Sequence, residues 1–519
     1  MSDHQRGPTD LEKVAIVIDT RDDVAIAKRM LEAGTSLRLS SGDHIEMRER
    51  VPADHKLALR DIASGETVRR YGQVIGSATQ PIPAGAHIHT HNLAIRALEL
   101  DFAFGADYRP VEHVPEAERR TFLGFRRRDG RVGTRNYVAV LASVNCSSSV
   151  TRQIADHFAR GDMLRAFPNV DGVIGFATKG GCGADRGSPG MAMLQRTMAG
   201  IVDHPNVAAY LIVGLGCEVN QPDELIGFAR LDRFERPPVL MIQQSGGSAK
   251  TIEAGIEAVG RLLPIADQAR RDPVAASELV VALQCGGSDG WSGVTANPAL
   301  GHAADGIVRQ GGTVVLAETP EVYGAEHLLT RRARSREVGE KLLERIRWWE
   351  RYTAMFGATI DANPTPGNKV GGLTTIYEKS LGAIAKAGST PLNEVVEYAE
   401  RITHKGLVHM DTPGYDPVSV TGQVAGGCNI VCFTTGRGSA FGFKAAPSIK
   451  IASDPAIHRS QEPDMDVDAG RILEGATSEE VGDEILERIL AVASGDRTKS
   501  EAAGLGDEEF SPWLLGAVL

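Results

Sequence analysis

The chain has 519 residues, 42% of them hydrophobic, with 56 Lys plus Arg against 67 Asp plus Glu and a formal net charge of -11. That length exceeds a single hydrophobic core and predicts roughly three domains, while the acidic balance gives no general attraction for nucleic acid or an anionic membrane. There is no stretch of about twenty apolar residues, and Met1-Ser2-Asp3-His4-Gln5-Arg6 lacks the apolar core of a leader, so a cytoplasmic protein acting on a small molecule is expected.

Residues 1–100 are punctuated by turn signals at Ala33-Gly34, Ser41-Gly42, Ala63-Ser64-Gly65-Glu66 and Pro83-Ala84-Gly85, which predict a small β domain. Near its end, His87, His89 and His91 alternate, so an extended backbone puts them on one face, where they suit a divalent metal or proton handling. Solvated histidines on a strand edge are the alternative. Residues 101–122 lose apolar pattern and read as a linker. After the basic run Arg126-Arg127-Arg128-Asp129-Gly130-Arg131, six apolar runs each end in a Gly-rich polar cluster. They are Tyr137–Ser143, Val173–Ala177, Leu211–Val213, Val239–Ile242, Leu279–Leu283 and Thr313–Ala317.

Such runs are strands of parallel sheets covered on both faces, and ligands collect outside the carboxyl ends of those strands. The first four are expected in an α/β middle domain, 123–268, and the others in a C-terminal α/β domain, 269–519. A helix and break fall between Pro264 and Pro273, and Val338, Leu342, Ile346, Trp349 and Phe356 keep helical spacing. Asn429–Phe433 and Ser448–Ile451 are expected strands, Gly382-Ala383-Ile384 lies in a helical stretch, and Ser478–Ala493 is the closing helix.

The polar clusters carry the chemistry. Cys146, Cys182, Cys217 and Cys285 sit at strand ends beside or close to glycine or serine, where thiolates suit iron or zinc; each alone reads more readily as a small buried residue, and it is the set together that favours ligands. Cys428 and Cys432 share one side of a strand and read as core. Glu318 and Glu321 bracket Pro320, and they and Asp289 suit a hard cation or acid–base work, with helix capping the structural alternative for Glu321. Thr434-Thr435-Gly436-Arg437 offers hydroxyls and a guanidinium to a carboxylate, or is a tight turn. Neither a nucleotide P-loop nor a dinucleotide fingerprint is present.

Several ordered motifs resemble the altronate and galactarate dehydratase family: His55-Lys56-Leu57-Ala58-Leu59-Arg60-Asp61-Ile62, Tyr71-Gly72-Gln73-Val74-Ile75-Gly76, His89-Thr90-His91-Asn92, Gly214-Leu215-Gly216-Cys217-Glu218, Cys285-Gly286-Gly287-Ser288-Asp289, Glu318-Thr319-Pro320-Glu321, Glu378-Lys379-Ser380 and Phe433-Thr434-Thr435-Gly436-Arg437-Gly438. The resemblance implies an N-terminal SAF-type β-clip domain, a middle domain that forms dimers, and a Rossmann-like catalytic domain. It also implies a lyase turning a sugar acid into a 2-keto-3-deoxy acid, with ferrous iron. Where the family commonly has a His before its Gly-Cys-Gly, this chain has Thr178-Lys179.

On that basis the expected metal ligands are drawn from His89, His91, Cys217, Cys285, Asp289 and Glu318. The expected catalytic acids and bases are His55, Lys56, His89, His91 and Lys179. Arg60, Asn92, Ser288, Thr434, Thr435 and Arg437 are expected to bind substrate. Three rivals stay open: an iron–sulfur dehydratase using three of Cys146, Cys182, Cys217 and Cys285, a sulfo-lyase on a related hydroxy acid, and a sugar-acid-binding protein without turnover.

Overall fold

A computed structural model describes residues 8–160 and 162–516; the N-terminal hexapeptide read above lies outside them. The N-terminal module is built of short strands. Ala15–Ile16, Val24–Ala27, Lys56–Ala58 and His87–Ile88 form one antiparallel sheet, and Thr67–Arg70 pairs with Gln73–Ala78 as a hairpin. Its core is Val24, Ala58, Val68, Ile75 and Ile88, all buried, with Leu37, Met47, Val51 and Leu57 in a second small cluster.

The expected linker is pinned along the C-terminal body. Gly105 and Asp107 donate backbone bonds to Thr330 and Arg331, and the Arg331 guanidinium pairs with Asp101 and Asp107. Thr121–Arg126 then pairs antiparallel with Arg271–Ala275, so the middle region leaves and re-enters the chain through neighbouring strands. Pro273 is tolerated there because its strand is an edge. The helix expected around Pro264 runs from Ser248 to Ala266 and contains that proline near its end. The basic run is structural at Arg127, whose guanidinium donates to Pro205 O (2.6 Å), Asn136 Oδ1 (2.8 Å) and Arg135 O (3.0 Å).

All six expected strands form, divided between two parallel sheets. In the first, Gly172–Phe176, Tyr137–Ala142, Val207–Gly214 and Val239–Met241 lie in that order. Alternation along one strand covers both faces: Val138 and Val140 pack with Ile154, Phe158 and Leu263, while Ala139 and Leu141 pack with Met191 and Leu194. The second sheet has seven parallel strands, ordered Leu392–Val396, Gly406–Met410, Thr313–Leu316, Val280–Cys285, Ile430–Thr435, Ser448–Ala452, Val467–Asp468. The chain runs outward in opposite directions from Val280–Cys285 and Ile430–Thr435, which opens a crevice beyond their carboxyl ends. Among the described residues no helix is long and apolar enough to cross a membrane.

The N-terminal module docks on this body through a buried ion cluster. Lys56 Nζ donates to Gly372 O (2.6 Å) and Glu378 Oε2 (3.0 Å), and Arg70 donates to Glu378 and to the Gly290 carbonyl. Thr374 closes the same carboxylate from its backbone N–H (2.8 Å) and hydroxyl (2.6 Å). Two cations and these donors pull Glu378 down to about 2. Burial together with neighbouring Arg70 draws Lys56 down to about 8, which leaves it cationic at neutral pH.

Candidate active site

The C-terminal edge of the seven-stranded sheet collects the buried polar groups. Cys285 ends its strand, and Glu318 and Glu321 follow the neighbouring strand Thr313–Leu316 in a short 3-10 turn. Ligand atoms of these three residues lie within 4.8 Å of one another. Glu318 has φ 65°, left-handed backbone that a non-glycine residue adopts at a cost in strain. It is held there by its N–H on Thr412 Oγ1 (2.8 Å) and by Glu321 N–H on its carbonyl (2.7 Å).

The cluster brings its own cations. Lys386 Nζ donates to Cys285 Sγ at 2.9 Å and stands 3.5 Å from Glu318, while Lys379 Nζ donates to Glu321 Oε1 (2.7 Å) and Asn363 Oδ1 (2.7 Å). Burial pushes the Cys285 thiol up to about 12, so it stays protonated. Burial and the Glu321 charge hold Glu318 well above the usual carboxylate range, whereas Lys379 and Lys386 hold Glu321 below it. Neighbouring carboxyls driven apart in this way can divide the roles of acid and base between them. Asp416, bonded to Gln284 Nε2 (2.8 Å), is raised to about 6 by burial.

The second group is imidazole. His55 Nδ1 lies 2.9 Å from His87 Nε2, and the ring centroids of His55–His89, His87–His89 and His87–His91 are 5.0, 5.4 and 5.6 Å apart. His55 Nε2 donates to Val370 O (3.1 Å) and His89 Nε2 to Lys369 O (2.9 Å). A carbonyl can only accept, so these contacts assign the proton to Nε2, and each Nδ1 is an acceptor, that of His55 from His87 Nε2 and that of His89 from the Thr90 hydroxyl (3.1 Å). Burial lowers His55 to about 4 and His87 to about 3, keeping both neutral. One connection joins the two groups: Glu378 binds the N-terminal module, and Lys379, the next residue of helix Ile376–Ile384, binds Glu321.

A third group lines the crevice where strand order reverses. Gly436 and Arg437 donate backbone bonds to Gly287 O (3.2 and 2.9 Å), stitching the two loops together. The N-terminal module reaches this point with Asp54, whose carbonyl lies 2.2 Å from where Cβ atoms on Gly290 and on Gly372 would stand. Only glycine admits that approach.

Known proteins match this arrangement from end to end. Residues 13–96 match the altronate/galactarate dehydratase SAF domain, 124–267 the second domain of D-galactarate dehydratase/altronate hydrolase, and 276–518 the D-galactarate/altronate dehydratase C-terminal domain. Altronate dehydratase of Escherichia coli (strain K12) is 37% identical over 492 residues, covering 94% of this chain and 96% of the relative. The chain belongs to the altronate/galactarate dehydratase family. Galactarate dehydratase (L-threo-forming) of the same organism is 38% identical over 96% of this chain and 94% of the relative. The (2R)-sulfolactate sulfo-lyase subunit beta of Chromohalobacter salexigens is 34% identical over 76% of this chain and 97% of the relative. The family's dehydratases are hydro-lyases, and this chain is an enzyme of that class.

Within the family frame, the expected site residues fall in different places. Cys285 and Glu318 come together, and His55, His89 and His91 share the imidazole cluster. Asp289 lies outside the Cys285 group: it is buried and accepts from Trp291 N, Ser292 N, Ser292 Oγ and Ser453 Oγ, which makes it the peg of its own turn. Cys217 is exposed on the middle domain and receives Gln243 Nε2 at 3.6 Å. Lys179 is exposed on the same domain, and Thr178 accepts from Gly180 N (3.1 Å) as a turn residue. Arg60 pairs with Asp23 and Glu66 within the N-terminal module, and Lys56 is taken up by docking.

Asn92 supports the imidazoles, donating to His87 O (2.9 Å) and accepting from His89 N (2.9 Å). Thr434 is buried against Asn297, Ser288 is buried with its carbonyl on Asn368, Thr435 is buried, and Arg437 is exposed at the crevice. Lys379, Lys386 and Asn363, which complete the buried cluster, were not singled out in the sequence, nor was Asp54 at the crevice. The one available signal was a lysine inside the otherwise small and apolar run Leu381–Ala387. A charge there requires a buried partner.

Proposed function

We propose that this chain removes water from a sugar acid of the altronate or galactarate type, giving a 2-keto-3-deoxy acid, with a divalent metal, ferrous iron by preference. The observation carrying this reading is the buried carboxyl pair Glu318 and Glu321, packed against Lys386 and Lys379 and linked through one helix to a docked module that bears four clustered imidazoles. Dehydration breaks the C2–H bond and the C3–O bond of a 2,3-dihydroxy acid. The α-proton goes to a base, hydroxide leaves with a second proton as water, and the enol tautomerises to the keto acid.

The imidazoles carry the outer contacts of a metal site, although no three of their ligand atoms lie within 4.8 Å of one another. His55 and His89 each anchor Nε2–H on a backbone carbonyl, the outer contact that orients a ligating ring, and a metal would take the place of the proton that His87 Nε2 shares with His55 Nδ1. The Cys285 group does not fit one so well, because Lys386 and Lys379 already supply its positive charge. His55 and His87, with His89 and His91 beside them, would therefore hold the ion, which would stabilise charge developing on the substrate carboxylate and its neighbouring hydroxyl. Glu318, kept protonated, supplies the proton for the departing hydroxide. Glu321, kept ionised by Lys379, is the matched base, and Lys386 fixes the charge balance around Cys285.

The test is keto-acid formation from D-altronate, galactarate and related acids under anaerobic conditions with iron(II), zinc or magnesium. His87→Ala is expected to lower turnover by at least about 100-fold with an unchanged melting curve. Failure of the wild-type protein to form keto acid from any of these acids with any of these ions defeats the proposal. A second reading has its own support in the sulfo-lyase relative: the same α-proton removal with sulfite leaving from C3. Sulfite release from (2R)-sulfolactate, without keto-acid formation from sugar acids, would decide for it.

A further inference from the structure

The crevice at the reversal of strand order contains groups that the acid pair and the imidazoles do not use. Asp54 is the first. Its backbone makes the docking contacts, with N–H on Ala27 O (2.9 Å) and its carbonyl against Gly290 and Gly372. Its side chain makes a further contact across the modules yet stays part-exposed. It meets the Trp291 indole, and has Asp289, Asp454 and Arg437 as its charged neighbours. Those four residues follow or flank Val280–Cys285, Ile430–Thr435 and Ser448–Ala452, so the Asp54 carboxyl sits over the carboxyl ends of the central strands.

The backbone at Asp54 has φ 70°, a conformation that glycine adopts freely and other residues adopt under strain. A carboxyl group is therefore present where the backbone alone would favour none. A second observation lies two residues before Arg437, on the strand Ile430–Thr435. Thr435 is fully buried, and among the described residues its Oγ1 has no hydrogen-bond partner. That oxygen lies 3.2 Å from where a Cβ on Gly287 would stand, with Arg437 Cβ and Gly438 O each 3.4 Å from the same point. Buried hydroxyls are normally satisfied, and one beneath the loop that carries Arg437 is a donor and acceptor without a partner. Polyhydroxy acids carry hydroxyls beyond the two carbons that react, and each asks for such a partner.

We propose that Asp54 is a specificity-determining residue whose carboxylate accepts a hydrogen bond from a substrate hydroxyl on the unreacting part of the chain, with Thr435 Oγ1 as a second contact. This rests on the sugar-acid reading above. A site built to bond a hydroxyl discriminates against acids that lack it, because its polar groups are then left unpaired.

The experiment compares wild type, Asp54→Gly and Asp54→Asn by calorimetric binding and steady-state kinetics on D-altronate, galactarate and D-glycerate, the last a 2,3-dihydroxy acid with no distal hydroxyl. Asp54→Gly relieves the left-handed strain, so it should melt at or above the wild-type temperature, and Asp54→Asn keeps an acceptor as a second folded variant. The expected result is an increase of about tenfold in Kd and KM for the six-carbon acids in Asp54→Gly, a smaller one in Asp54→Asn, and values within twofold for D-glycerate. Equal changes for long and short acids, or none, overturn the inference while leaving wild-type dehydration intact. A wild-type protein that neither binds nor converts these acids overturns both readings.

Discussion

The two parallel sheets start from the same sequence device and end with different chemistry. Each follows its apolar strands with glycines and a cysteine, yet Cys146, Cys182 and Cys217 are exposed on the middle domain, whereas Cys285 is buried among two glutamates and two lysines. What separates them is cover. The middle sheet satisfies its strand ends internally, with Glu218 accepting from Ser143 Oγ (2.8 Å), Leu215 N (3.0 Å) and Gly216 N (2.6 Å). The C-terminal sheet is capped by helix Ile376–Ile384 and by the N-terminal module, and low dielectric there drives neighbouring carboxyls apart. A glycine-flanked thiol is thus no site until a second layer closes over it.

The sharpest way to break this contrast is to remove the cover. Glu378→Ala leaves Lys56 and Arg70 buried without their carboxylate, and losing one partner of a buried ion cluster costs about 3–5 kcal/mol. The expected outcome is loss of turnover together with rapid proteolytic cutting in the 100–120 segment while the C-terminal body stays protected. Acid should act on the same joint. Glu378 has its folded pKa depressed to about 2 from 4.5, so its contribution is fully present above about pH 4.5 and is lost as pH falls toward 2. Proteolytic release of the N-terminal module should follow that window in wild type. Release with the same profile in Glu378→Ala and wild type would remove Glu378 as the fastening.

A smaller effect sharpens the contrast within the covered sheet. Lys386→Met deletes the ammonium between Cys285 and Glu318 and fills its volume with an apolar chain. Turnover should drop about 100-fold, with melting close to wild type. An unchanged kcat would make Lys386 a packing residue and detach Cys285 from the chemistry.

The sequence made the strands visible because buried parallel strands are continuous apolar runs. Two of the strands it hid, Leu392–Val396 and Gly406–Met410, are interrupted by Asn393, Glu394 and His409, and pairing with neighbours overrides that local pattern. Site residues were legible where they cluster in sequence: His87, His89 and His91, or Glu318 with Glu321. Lys386 and Asp54 were not, since one lies 101 residues from its sulfur partner and the other matters through a contact between modules. Asp289 shows the opposite error. Its glycine-rich surroundings suggested a ligand, but the same glycines bend a turn whose N–H groups consume the carboxylate.

The smallest expected effect lies in the exposed thiols. Cys146→Ser, Cys182→Ser and Cys217→Ser combined in one protein should change turnover by less than about twofold, since surface substitutions away from buried networks stay near 0.5 kcal/mol. Among the described residues none of these thiols belongs to a group of three ligand atoms within 4.8 Å, which argues against a cluster held in this conformation. An iron–sulfur enzyme would respond quite differently, losing visible absorbance and activity together in the triple variant. Unchanged turnover in that protein, beside collapse in Cys285→Ala, would place the chemistry in the covered sheet and leave the middle domain's cysteines as residues of its surface.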